Sequence, residues 1–219
     1  MDPSTGTFQH LSSEMPIKFQ ASRNAIVHGC SGAGKTQFIL EIIRQKLIHP
    51  WPNNVYYMYN IEQDFMRDWN EVESQPIKFI KGLDFAQMDT SQSSALIIDD
   101  LILSGRNKEV AEVFILGSHH RKISTFYLTQ NLFPNCPLFR LMSSNAHYYI
   151  CFHSQRNTRQ VNTLARQIYT GKNVDRIMNS YIKASRSHRG FIVISFAPEL
   201  PEELTVITDY WSWFPSVFL

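Results

Sequence analysis

Short, mainly apolar runs alternate with stretches of helical periodicity along most of this chain. The runs are Ala25-Ile26-Val27, Val55-Tyr56-Tyr57-Met58-Tyr59, Ile77-Lys78-Phe79-Ile80, Ala95-Leu96-Ile97-Ile98, Ile123 to Leu128, His147 to His153 and Gly190 to Phe196. They are too short for helices and rich in β-branched and aromatic residues, so they read as strands, several of them buried on both faces. Between them, helical spacing runs over Gly34 to Leu47, Glu62 to Val72 (Phe65, Met66, Trp69), Lys108 to His120 (Val110, Val113, Phe114, Leu116), Thr158 to Tyr169 and Val174 to Arg186. Pro50 and Pro52 end the first of these helices, because proline cannot continue a helical ladder. Pro134 to Ala146 reads as a loop and a short helix, and Gly190 to Phe196 as the last strand. Strands regularly followed by helices predict an α/β fold, a mainly parallel central sheet flanked by helices.

The pattern fades at both ends. Residues 1–16 read as a polar arm without periodicity, 17–208 as one domain, and 209–219, with Tyr210, Trp211, Trp213, Phe214 and Phe218, as an aromatic tail that either packs back on the core or anchors a partner. Ile17-Lys18-Phe19 reads as a short edge strand, packing against the core or lying beside a bound base. A chain of 219 residues suits one sizeable core. No apolar run reaches the roughly 18 to 20 residues of a membrane span, and the polar start is unlike a signal peptide. The expectation is an intracellular protein without membrane contact. Its three cysteines, Cys30, Cys136 and Cys151, form neither a disulfide framework nor a zinc-site spacing. A net charge of +2 leaves nucleic acid open as a partner.

Two clusters carry chemistry. Gly29-Cys30-Ser31-Gly32-Ala33-Gly34-Lys35-Thr36 stands between a strand and a helix and has the spacing G-x-x-x-x-G-K-[ST]. In that context glycines let backbone N–H groups and the helix N-terminus cradle a phosphate chain, as a P-loop does for ATP. Lys35 then reaches the β- and γ-phosphates, and Thr36 ligates Mg. The second cluster is Asp99-Asp100 at the end of an apolar strand, a Walker B arrangement. Asp99 is the expected Mg ligand, and Asp100 the base that polarises the attacking water. Gln130 follows the strand Ile123 to Leu128, at the sheet end where ligands collect, and is placed to sense the γ-phosphate or orient water. Arg156 follows the strand His147 to His153 and reads either as an arginine finger, in cis or on a neighbouring subunit, or as a solvated arginine. Lys183, Arg186, His188 and Arg189 read as a DNA-phosphate contact or as a solvated helix end.

The segments Lys78 to Gly82, Asp99-Asp100, Gly117 to Ser124, Leu128 to Phe133, Asn145 to Tyr149 and Leu164 to Tyr169 together resemble the genome-packaging ATPases of the FtsK/HerA superfamily. The likeness is nearest to those of Polinton (Maverick) elements, adintoviruses and related small DNA viruses, and more distant to the poxvirus packaging ATPases. It spans 24–208. The resemblance implies a RecA-like core that assembles as a homo-oligomeric ring, a hexamer or pentamer, and pumps double-stranded DNA into a preformed capsid. A capsid or portal protein is then a partner, and the host nucleus or the site of virion assembly the place of action. By position Lys35 and Thr36 match the Walker A pair, Asp99 the metal-binding carboxylate, Asp100 the catalytic carboxylate, Gln130 the sensor and Arg156 the finger. His119, His120 and Arg121 match as well, and a subunit or DNA contact is expected of them. Cys30 departs from the family, which more often carries a small residue or proline there, and the tail after Thr208 has no counterpart.

Two rival functions remain at this stage. One is a nucleoside or nucleotide kinase with a lid built from the arginines between Arg156 and Arg166. The other is a nucleotide-gated scaffold that binds a capsid protein without turnover. An Asn-Lys-x-Asp segment for reading guanine is absent from the sequence.

Overall fold

The buried strands form where the apolar runs stand. In the computed structural model the described residues are 8–10, 18–101, 107–120, 122–196, 205–211 and 216–218. Their elements are β1 (Phe8–His10), β2 (Phe19–Gln20), β3 (Ala25–His28), α1 (Lys35–Arg44), β4 (Ile48–His49), β5 (Asn54–Tyr59), α2 (Phe65–Val72), β6 (Lys78–Lys81) and β7 (Ser94–Asp99). They continue with α3 (Asn107–His120), β8 (Ile123–Thr129), α4 (Pro137–Ser144), β9 (Tyr148–Phe152), α5 (Thr158–Ile168), α6 (Lys172–Ala184), β10 (Phe191–Ser195), β11 (Val206–Thr208) and β12 (Ser216–Phe218).

The main sheet has the order β1-β12-β11-β10-β9-β3-β8-β7-β5-β6. From β9 to β6 every pairing is parallel, and from β9 out to β1 every pairing is antiparallel. The expected mainly parallel sheet flanked by helices is therefore present, with an antiparallel extension that the pattern did not announce. β10 is not the last strand, since β11 and β12 follow it, and Phe8–His10 is a strand inside the stretch read as an arm. Both differences have one cause. A three-residue strand is fixed by its neighbour's hydrogen bonds and leaves too few positions for a period to show.

Two apolar layers cover the sheet. On one face Ala25, Val27, Ile97, Leu128 and Ile150 meet Phe38, Ile39, Ile42 and Ile43 of α1 and Met66 and Trp69 of α2. On the other, Ile26, Leu96, Ile98, Tyr127 and Tyr149 meet Phe114 of α3, Phe139 of α4, Val161 and Leu164 of α5, and Ile177 and Tyr181 of α6. β3, β8, β9 and β10 are buried over their whole lengths, as strands covered on both faces must be. Phe19 is a packing residue: its ring lies edge-on to Phe38, Phe126 and Tyr148, and the short pairing of β2 with β4 stands apart from the main sheet. Tyr210 is buried against the same aromatic layer. Among the described residues, no helix is long and apolar enough to cross a membrane.

Candidate functional site

The register of the parallel strands decides what meets at their carboxyl ends. His28 of β3 lies opposite Thr129 of β8, and Leu128 lies opposite Asp99 of β7. Gly29, Gln130 and Asp100 therefore leave the sheet side by side. Because β8 lies between β3 and β7, Gln130 emerges between the glycine-rich loop and the paired carboxylates.

The loop itself depends on backbone conformations that side chains resist. Gly32 and Gly34 have φ of 75° and 108°, in the left-handed region, and Gly34 turns the chain directly into α1. Lys35 Nζ donates to the carbonyls of Gly29 and Cys30, at 2.7 and 3.1 Å, so the ammonium lies across the loop. Burial pulls the Lys35 pKa down, and the charges of Asp99, Asp100 and Cys30 oppose that shift. The two carboxylates are thus close enough to be felt by the loop lysine.

Asp99 and Asp100 are held differently. Tyr57 Oη donates to Asp99 Oδ2 at 2.7 Å, and Gln63 Nε2 donates to the same oxygen at 3.1 Å. The Thr36 side chain lies beside the Tyr57 phenol, whose pKa is driven up by burial and by the Asp99 charge. Thr36, Tyr57 and Asp99 form one cluster of oxygen atoms, and no hydrogen bond among the described residues engages Asp99 Oδ1. Hard oxygen donors and a carboxylate oxygen left free suit Mg held jointly with phosphate oxygens and water. Asp100 is exposed, with φ of 51°, a left-handed conformation that aspartate tolerates. It accepts a 2.7 Å hydrogen bond from Gln130 Nε2.

The structure thus brings together Gly29 to Thr36, Asp99, Asp100 and Gln130. Arg156 stands at the same end of the sheet, in the single 3-10 turn Gln155–Asn157 between β9 and α5, but it is exposed and has no ion pair among the described residues. The basic cluster is divided. Lys183 Nζ pairs with Asp209 at 3.1 Å, Arg186 and His188 are exposed, and Arg189 lies against the loop, where a Cβ on Gly34 would come within 3.1 Å of Arg189 Cδ. The backbone of His119 and His120 is at the end of α3 that leads into β8, opposite Gln130, while Arg121 lies outside the described residues. Groups of three or more His, Cys, Asp or Glu residues able to hold a metal are absent among the described residues. All three cysteines are free thiols.

Sequence reading missed Tyr57, Gln63 and His28. His28 is fully buried at the end of β3, and neither ring nitrogen has a well-formed hydrogen bond. Burial, with the Lys35 charge second, pushes its pKa down to about 4 against a weak opposing pull from the Thr129 backbone.

This is the geometry of a phosphate-binding loop facing paired carboxylates. No family model matches the sequence, and neither does any curated protein. Among solved structures the chain is similar to B204, the DNA-packaging ATPase from Sulfolobus turreted icosahedral virus, at 10% identity over 82% of this chain and 95% of that one, with a TM-score of 0.49. It is also similar to the genome packaging NTPase B204 from Sulfolobus turreted icosahedral virus 2 in complex with ATP-γS, at 12% identity, the same coverage of 82% and 95%, and a TM-score of 0.47. Function resides in sites and not in folds, so the chemistry is read from this chain's own residues.

Proposed function

We propose that this chain is the ATP-hydrolysing subunit of a motor that moves double-stranded DNA into a viral capsid. The observation that carries the hydrolytic part is the Gln130 to Asp100 hydrogen bond beside the loop holding Lys35. A kinase needs its acceptor at the γ-phosphate. In this reading a carboxylate and an amide suited to holding a water face that position. Asp100 accepts the water's proton, Gln130 orients the same water, and Lys35 turns from the loop carbonyls to the β- and γ-phosphates. Thr36 and Asp99 hold Mg, which when bound neutralises charge on the phosphate oxygens. Arg156, acting from a neighbouring subunit, supplies the remaining positive charge.

The DNA, ring and capsid parts of the proposal rest on the sequence blocks that resemble packaging ATPases, from Lys78 through Tyr169. They imply a ring of five or six copies that engages a capsid or portal protein and works in the host nucleus or at the site of virion assembly. ATP hydrolysis by the purified chain, with and without double-stranded DNA, tests the proposal. DNA should stimulate turnover, and Lys35→Ala or Asp100→Asn should lower it by about 10²- to 10⁴-fold. Full turnover in Asp100→Asn would remove Asp100 as the base. Tight ATP binding without hydrolysis by the assembled ring would point to a scaffold.

A further inference from the structure

The catalytic groups lie on one side of the loop, and a shaped cavity lies on the other. Asp99, Asp100 and Gln130 belong to β7 and β8, whereas β9 and β10 flank β3 on its opposite edge. A triphosphate laid along the loop with its γ-phosphate at Asp100 would carry its nucleoside away from β7 and β8, toward the side of β9 and β10. Phe152 and Phe191 pair there, so the end of β9 and the start of β10 share the sheet edge from which the loop emerges.

A cavity of about 330 Å³ opens at this point, within the size range of small-molecule sites. Gln37 and Phe38 of α1, His188 and Arg189 of the α6–β10 turn, and Phe191 and Trp211 are among its lining, and Glu41 extends it farther along α1. The Arg189 stem reaches Gly34, so this wall of the cavity abuts the loop. Arg189 is exposed and has no ion pair among the described residues. Trp211 packs on Phe38 and Phe191, with ring centroids 5.4 and 6.1 Å away, yet remains 39% exposed. An indole with solvent-accessible surface and a free guanidinium flank the same space. Both are groups on which a planar heteroaromatic ring stacks.

We infer that this cavity is the nucleobase site, in which the base stacks between Arg189 and Trp211. The inference rests on the nucleotide-binding reading of the loop and adds what that reading lacks, a place for the base. Stacking recognises a π-face and is tolerant of base identity, so the site selects a nucleotide over a bare phosphate chain more than one base over another.

The test compares binding of ATP with binding of inorganic tripolyphosphate, both with Mg, by titration calorimetry on the full chain. The wild type should bind ATP more tightly. Trp211→Leu should weaken ATP by roughly 5- to 150-fold and leave tripolyphosphate unchanged. Trp211→Phe, which keeps an aromatic face, should retain most of the ATP affinity, and Arg189→Leu should weaken ATP more than tripolyphosphate. Tripolyphosphate bound as tightly as ATP by the wild type, or ATP affinity unchanged in Trp211→Leu, would overturn the base site and leave the loop's role standing. Equal loss of both ligands in Trp211→Leu and Trp211→Phe would make Trp211 a packing residue and also overturn it. A wild type that binds neither ligand would remove the nucleotide reading itself.

Discussion

Removing the Tyr57 hydroxyl leaves Asp99 held by Gln63 alone, while the ring keeps its packing against Phe65 and Phe79. A hydrogen bond to a charged group contributes about 1.5–3 kcal/mol. Tyr57→Phe should therefore lower kcat/KM by about 10- to 100-fold and raise the Mg concentration needed for half-maximal turnover, with an unchanged melting temperature separating positioning from folding. The run Tyr56-Tyr57-Met58-Tyr59 shows that its side chains alternate between faces. It does not show that β7 will lie alongside, and so the partner of Tyr57 was illegible until the strands were ordered. His28 bears on stability instead. Its folded pKa of about 4 lies below the ordinary 6.5, so the folded state binds fewer protons. The stability contributed by a neutral His28 is complete above about pH 6.5 and is lost as pH falls toward 4, by up to about 3 kcal/mol. Urea midpoints measured from pH 7 to 4 should fall more steeply for the wild type than for His28→Leu. Parallel slopes would place the acid sensitivity elsewhere.

The strands that carry the site were legible because each is an apolar run long enough to be buried on both faces: β3 before the glycines, β7 before Asp99-Asp100, β8 before Gln130. Four shorter strands were not. β1, β4, β11 and β12 have two or three residues apiece, and each owes its form to the strand it pairs with. The α6–β10 turn was equally hidden, since only the fold carries Arg189 to Gly34. That turn depends on Gly190, where an added Cβ would lie 1.8 Å from the Ala184 carbonyl oxygen. Gly190→Ala must displace backbone, and overpacking of this kind costs about 1–3 kcal/mol. The variant should unfold at a lower urea concentration than the wild type, with ATP affinity reduced as Arg189 shifts. An unchanged midpoint would show that the turn can open without loss.

At the scale of the whole molecule, an exposed Arg156 at the same sheet end as the loop fits the proposed action on a neighbouring copy. Mixing two inactive variants decides the matter. Arg156→Ala subunits keep an intact loop, and Lys35→Ala subunits keep the arginine, so some interfaces in a mixed ring are complete. Turnover should recover on mixing to a fraction set by the proportion of such interfaces. Recovery would not occur if Arg156 acted within its own subunit. The sheet that carries these groups also decides where movement can go. β8 is buried throughout and hydrogen-bonded along both edges, a stiff beam with little room to bend. Just past its end, the Leu132 amide donates to Gln160 on α5 at 2.8 Å, one helical turn from Arg156. In mechanical language β8 is an anvil and the short loop after it a pushrod. A displacement at Gln130 would therefore pull on α5 through this one bond, beside Arg156.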